Sequence, residues 1–437
     1  MEILVYTPKL TSRIRYSIRL LLTELLRVEV SFEEDEANFK ASPIPFKITY
    51  GKQSIGGFPH FGGHPFLLEK GINEQSIKVS DEEGVITFFP VKDALLSFDP
   101  FAASFFLVTR YEEYLPHRRD MHNRFDVSQS LAAQNGFLQK PVVNQWAYLV
   151  RDQLQQHFPK LEFPKRQYSF TSSIDVDNAY AYLEKGIMRT LGAYTRSLLN
   201  FDVKDLARRT RALLTIDHDP YDTFDFQLAI QKKYHLRPIY FFLVADYGLN
   251  DKNVPITSRK FQSLIKRIND YADVGIHPSY GSSVEASKLK KEVQRLSDVL
   301  HMEIRKSRQH FLKISLPQTY RQLIELEITD DYTMGYATEL GFRASICDPF
   351  FFYDLELETE TRLKIHPFSF MEATLKYYMN VGPENAIAHL EPILKAIRAV
   401  DGTFVSLWHN DSLSGEAPWV GWKEVYERMV QLAGTEG

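Results

Sequence analysis

The sequence predicts an α/β protein in two parts, and three observations carry that expectation. After about residue 162, short apolar β-prone runs alternate with stretches of helical period, the rhythm of a parallel sheet or a barrel. Pro159, Pro164 and the charged run Lys160 to Arg166 punctuate the chain just before that rhythm begins. The 437 residues, 44% of them hydrophobic, can also build one large core or two to three ordinary ones. We therefore expect a mixed α/β domain over 1–162 and a second α/β domain over 163–437.

In the first part, Glu2 to Tyr6 and Val28 to Phe32 read as strands flanking an amphipathic helix from Ile14 to Leu26. Short strands are expected at Phe46 to Tyr50, Ser76 to Val79 and Val85 to Pro90. The glycine- and proline-rich Gly56 to Pro65 reads as a loop. Asp99 to Tyr114 and Val143 to His157 read as helices. In the second part, strands are expected at Tyr168 to Ile174, Pro238 to Val244, Val274 to His277, Ser307 to Lys313, Glu327 to Ile328, Arg362 to His366 and Thr403 to His409. Between and after them, Thr223 to Lys233, Ser258 to Tyr271, Val284 to Leu300, Thr319 to Leu326, Glu372 to Met379, Ala386 to Ala399 and Trp422 to Leu432 read as helices. The segment near 179–222 is longer than one crossover needs and is expected to be a helical insertion.

Composition narrows the function. With 52 basic and 56 acidic side chains the net charge is −4, which carries no footprint of a nucleic-acid binder. The single cysteine, Cys347, excludes an intramolecular disulfide and a cysteine-based zinc cluster, so any metal must be held by imidazole and carboxylate. No run approaches 18 apolar residues, and Met1 to Arg19 lacks the pattern of a secretory leader. The expectation from the chain as given is a cytoplasmic protein without a membrane span. Its oligomeric state is not legible.

Four strand ends carry the chemistry. Asp175 and Asp177 close an apolar strand two residues apart, so they share one side of an extended backbone. Two carboxylates that close are unfavourable unless a cation or a shared proton relieves them. The competing account is a solvated strand end that caps a helix. His277 ends a short apolar strand before Pro278, at the strand-to-loop point where α/β barrels place functional groups. Arg308 and His310 sit two apart on the next expected strand, and Phe404 to His409 delivers a last imidazole beside Asn410 and Asp411.

In this order these residues resemble the motifs of the polysaccharide deacetylases, the NodB-homology group of carbohydrate esterases. Asp175 and Asp177 are similar to the first motif, His277 to the second, Arg308 to the third, and Leu407-Trp408-His409 to the Leu-x-His motif that ends the set. The likeness runs from about 166 to 430. It implies a distorted (β/α)7-type barrel and a divalent metal, in that family usually zinc. The substrate implied is an N-acetylated carbohydrate, from whose amino sugar a metal-activated water removes the acetyl group. By the same resemblance Asp175 is the base, Asp177 and His277 are metal ligands, and His409 is the acid. Arg308 steadies Asp175.

One departure stands out. The family's second motif supplies a second histidine four residues on, and position 281 is Gly. His310 is the expected substitute as third ligand, with Ser279, Asp330 and Asp331 as rivals. A deacetylase fold that holds carbohydrate without catalysis is the main alternative. A glycosidase using Asp175 and Asp330 is a second one. Tyr280, Trp408 and Asp331 are expected at the substrate, although Trp408 equally fits packing against the last helix. His60/His64, Asp217-His218-Asp219 and the basic stretch His117 to Arg124 are weaker candidates, each with a surface or turn role as the bland account.

Overall fold

The structure is a computed structural model that describes residues 1–434; the last three positions of the expected second domain lie outside it. Its first sheet has four parallel strands in the order β2-β1-β3-β4: β1 Glu2–Tyr6, β2 Glu29–Glu33, β3 Phe46–Gly51 and β4 His60–Gly62. β1 lies at its centre because Ile3 and Val5 are wholly buried between layers. β4 sits inside the stretch expected to be loop, paired with Thr49 to Gly51. The helix expected over 14–26 starts earlier, at Ser12, because the Thr11 hydroxyl accepts the Ile14 amide. It continues as a π-type segment from Leu20. No strand forms at 76–79; a hairpin of exposed β5 Ser80–Glu82 and largely buried β6 Val85–Thr87 follows instead.

The second sheet has nine strands: β7 Ser169–Val176, β8 Ile239–Phe242, β9 Asp273–Ile276, β10 Lys306–Ser307, β11 Asp330–Asp331, β12 Phe350–Asp354, β13 Thr359–Ile365, β14 Phe370–Met371 and β15 Thr403–His409. Their order, β12-β13-β11-β10-β9-β8-β7-β15-β14, has two ends, so the mixed α/β architecture with a largely parallel sheet is present and the strand ladder does not run round into a closed barrel. At 366–369 the chain crosses from β13 to β14 as a link, giving the Phe368 amide to the Met334 carbonyl and the Ser369 amide to the Val405 carbonyl. Pairing is parallel except for the β12–β13 hairpin, whose first strand the sequence reading did not anticipate. A small inner cluster, including Phe241, Tyr332, Met371 and Leu407, fills the concave side.

The expected strand 307–313 stops at Ser307. Thr333 takes the Gln309 amide, and Phe311 and Leu312 turn through left-handed φ values of 59° and 55°. β11 likewise lies at 330–331, two residues beyond the expected Glu327 to Ile328, after Glu327 itself turns left-handed. The insertion is a helical hairpin, Ile187–Leu199 and Val203–Leu213.

A continuous hydrophobic core runs across residue 162. One buried polar link between the two parts is Glu113, set between Arg110 (2.8 Å) and Arg343 (2.6 Å). Burial alone raises a carboxyl pKa, but the two guanidinium groups outweigh it and hold Glu113 down at about 2. Its contribution to stability is complete above the unfolded carboxylate value of 4.5 and fades as pH falls toward 2. Glu113→Ala strands the buried Arg343 cation and leaves Arg110 with Glu112 as its one acidic partner, and is expected to cost about 3–5 kcal/mol, read from the midpoint of denaturant unfolding at neutral pH. An unchanged midpoint would show that this buried triad does not hold the two parts together.

Candidate metal centre

The site lies where β7, β9, β10 and β15 end, in a cavity of about 170 Å³ lined by Asp175, Asp177, His277, His310 and His409. Parallel strands place all their carboxyl ends at one edge, which is why four distant segments meet there. On β7, Asp175 is buried and accepts a 2.9 Å bond from Arg308 Nη1. Arg308 is itself wholly buried, with its guanidinium over the Phe241 ring and Nε donating to the Tyr332 carbonyl.

Asp177 faces two imidazoles. His277 Nε2 lies 3.1 Å from Oδ1 and His310 Nε2 lies 3.4 Å from Oδ2. One donor atom from each of the three residues lies within 4.8 Å of the others. The remaining ring nitrogens define the tautomers. His277 Nδ1 lies 2.6 Å from the Arg308 carbonyl, which can only accept, so that nitrogen carries the proton and Nε2 is left as a lone pair. His310 Nδ1 is engaged by Asp251 at 2.9 Å. A lone pair and a carboxylate turned toward each other fit a cation between them, and two His with one Asp is a set that zinc accepts. The His310 pKa reports the same field. Burial lowers it, but Asp177 and then Asp251 overcome that and raise it to about 9. Asp177 is held well below the usual carboxylate range, since its two imidazole partners outweigh burial.

Across the cavity, His409 ends β15. Its Nδ1 lies 2.9 Å from Glu372 Oε1, which also takes the His409 amide. Burial lowers this imidazole's pKa, but Glu372, with Asp177 and Asp175 behind it, raises it well above the ordinary value.

Two residues expected at the substrate are elsewhere. Trp408 is fully buried against Tyr426 and Trp422, because alternation along β15 turns it away from the face that carries Leu407 and His409. Asp331 is fully buried too, bonded to Ser307 and Thr333. Tyr280 is half-buried with its ring edge-on to Phe311, which lines the cavity. Among the rivals, Asp330 pairs with His366 and Ser279 is buried against Glu292. His60 bonds Thr49, His64 stacks on Phe89, and Asp219 accepts the amides of residues 181–183. Asp251 was missed, since nothing in its surroundings in the sequence marks it. Glu372 was read only as opening a helix. Arg124, from the basic stretch, reaches the cavity wall, where it donates to the Phe311 carbonyl and to the Tyr378 hydroxyl.

This geometry defines a cleft in which a trio that could hold a metal ion is flanked by a carboxylate and an imidazole. Comparison with known proteins adds the following. Residues 3–159 match a family of unknown function, DUF7033. No curated protein matches the chain. Among solved structures, a Mycobacterium smegmatis protein provisionally described as a polysaccharide deacetylase is 12% identical, with a TM-score of 0.41 over 63% of this chain and 87% of its own. A polysaccharide deacetylase from Bacillus cereus gives 12% and 0.30 over 62% and 90%. A carbohydrate-esterase pseudoenzyme from Bacillus anthracis gives 8% and 0.30 over 61% and 60%. Overlaps this loose carry no argument about activity. No helix among the described residues is long and apolar enough to cross a membrane.

Proposed function

We propose that the chain is a metal-dependent hydrolase that removes an N-acetyl group from an amino sugar of a polysaccharide or its precursor. The carrying observation is the trio Asp177, His277 and His310, set between Asp175 held by Arg308 and His409 held by Glu372. The trio would hold a divalent metal, zinc by its donor set, which when bound lowers the pKa of water toward 7 and offsets oxyanion charge. Asp175, aimed by Arg308, takes the proton of the attacking water. His409, kept as an imidazolium by Glu372, gives a proton to the leaving amine. The His277–Asp177 and His310–Asp177 contacts support this over the non-catalytic reading, because His310 offers a third donor atom that position 281 cannot supply. The N-terminal part shapes the cleft through Arg124, which fixes Phe311 and Tyr378 at the substrate wall.

Metal analysis of protein purified without an affinity tag, paired with acetate release from N-acetylglucosamine oligomers, tests the reading. Metal-free, inert protein would overturn it, and release of reducing ends without acetate would point to a glycosidase. A further expectation concerns pH. Glu372→Gln removes the anion that stabilises the His409 cation, so the alkaline limb of the rate profile should move to lower pH. A limb that stays in place would remove His409 from the acid role.

A further inference from the structure

The insertion at 179–222 plays no part in the chemistry above, yet it exposes more apolar surface than any neighbouring element. Met188 is 84% exposed, Leu199 74%, Phe201 89% and Val203 71%, with Leu191 and Leu214 also open. On the first hairpin helix, Ile187–Leu199, the apolar positions 187, 188, 191, 198 and 199 fall within an arc of about 120°. Phe201 sits at the turn. On the second, Val203–Leu213, Lys204, Arg208 and Arg211 fall on one arc beside Val203. A contiguous apolar patch of this kind on a folded chain marks an interaction surface.

Charge indicates what covers it. Residues 187–216 hold six cations against Asp202 and Asp205. Arg208, Arg209 and Arg211 pair with Glu416, Asp205 and Asp217 and Arg189 donates to backbone carbonyls, which leaves Arg196 and Lys204 as the exposed cations beside the apolar face. A second copy seated face to face would bring two such positive hairpins together, which disfavours self-association. An apolar face bordered by long basic side chains instead suits an anionic bilayer. The apolar groups enter the acyl boundary while the cations reach the headgroups.

The hairpin is also tied to the loops of the metal centre. Arg189 donates to the carbonyls of Lys252 and Asn253, next to Asp251, at 3.1 and 3.0 Å. Arg208 pairs with Glu416 in the loop after His409, and Lys185 bonds Asn178, the neighbour of Asp177. We propose that the 187–216 hairpin lies in the interface of an anionic membrane and holds the cleft at its surface. If the hydrolase reading stands, its sugar substrate is one carried on a lipid.

The test is flotation of the full chain with vesicles of one part phosphatidylglycerol to two parts phosphatidylcholine, and with phosphatidylcholine alone. The protein should float with the anionic vesicles and poorly with the neutral ones. Leu199→Asp with Phe201→Asp should abolish flotation, and Arg196→Glu with Lys204→Glu should weaken it about tenfold or more. These positions are exposed, so both variants should keep the wild-type melting temperature. Absence of flotation, or flotation unaffected by either pair, overturns the proposal. So does a dimer in sedimentation that the Leu199/Phe201 pair dissolves without any vesicle binding, which would assign the face to a second copy. Flotation needs no hydrolysis, so a protein that floats but releases no acetate rejects only the hydrolase reading.

Discussion

Asp175→Asn is expected to lower acetate release by roughly 10²–10⁴-fold while the bound metal stays at the wild-type level. The asparagine keeps the side chain's shape and can still accept the 2.9 Å bond from Arg308, but it cannot take a proton from water. The trio proposed to hold the metal does not include Asp175, which lies 3.8 Å from His277 Nε2. Loss of rate with metal retained therefore separates the base from the ligands. Arg308 is buried, with Nη2 lacking a hydrogen-bond partner, so exchanging its anion for a neutral amide should cost about 1–3 kcal/mol. The thermal midpoint of the variant measures that term separately from the rate. Undiminished acetate release would remove Asp175 from the mechanism.

His310→Ala is the second large effect. It should abolish stoichiometric zinc, because Asp177 and His277 alone leave a two-ligand site where catalytic zinc has three protein donors. Asp251→Asn is the graded control. It leaves all three donors in place and removes only the carboxylate that orients His310, so metal affinity should fall by roughly 10–100-fold. Competition titration against a chelator reads both. Equal, wild-type affinity in His310→Ala would return the third-ligand role to another residue and leave the Gly281 departure unexplained. The two variants also test whether a long-range replacement of a missing motif histidine supports a complete site.

Much of the site was legible because it depends on local rules. Period-two alternation on an apolar strand put Asp175 and Asp177 on one side, and both line the cavity. The same rule, applied to Leu407-Trp408-His409, would have excluded Trp408 from the site, since neighbours on a strand face opposite ways. His310 was singled out for the right neighbourhood through the wrong local structure. The strand ends at Ser307, and a turn through Phe311, not a shared strand face, brings the imidazole to Asp177.

The sequence by itself determined the α/β class, the change of rhythm near residue 162, the helical insertion and the strand ends that bear carboxylate and imidazole. Those follow from patterns of a few residues, where side-chain period and turn chemistry act over short distances. Tertiary structure alone decided that the nine-stranded ladder does not close, that Asp251 and Glu372 engage the His310 and His409 imidazoles, and that Arg124 reaches the cleft. Each depends on groups brought together from far along the chain: 59 residues from His310 to Asp251, and 37 from His409 to Glu372. Such contacts are chosen by packing and charge in the assembled core, and no local pattern encodes them.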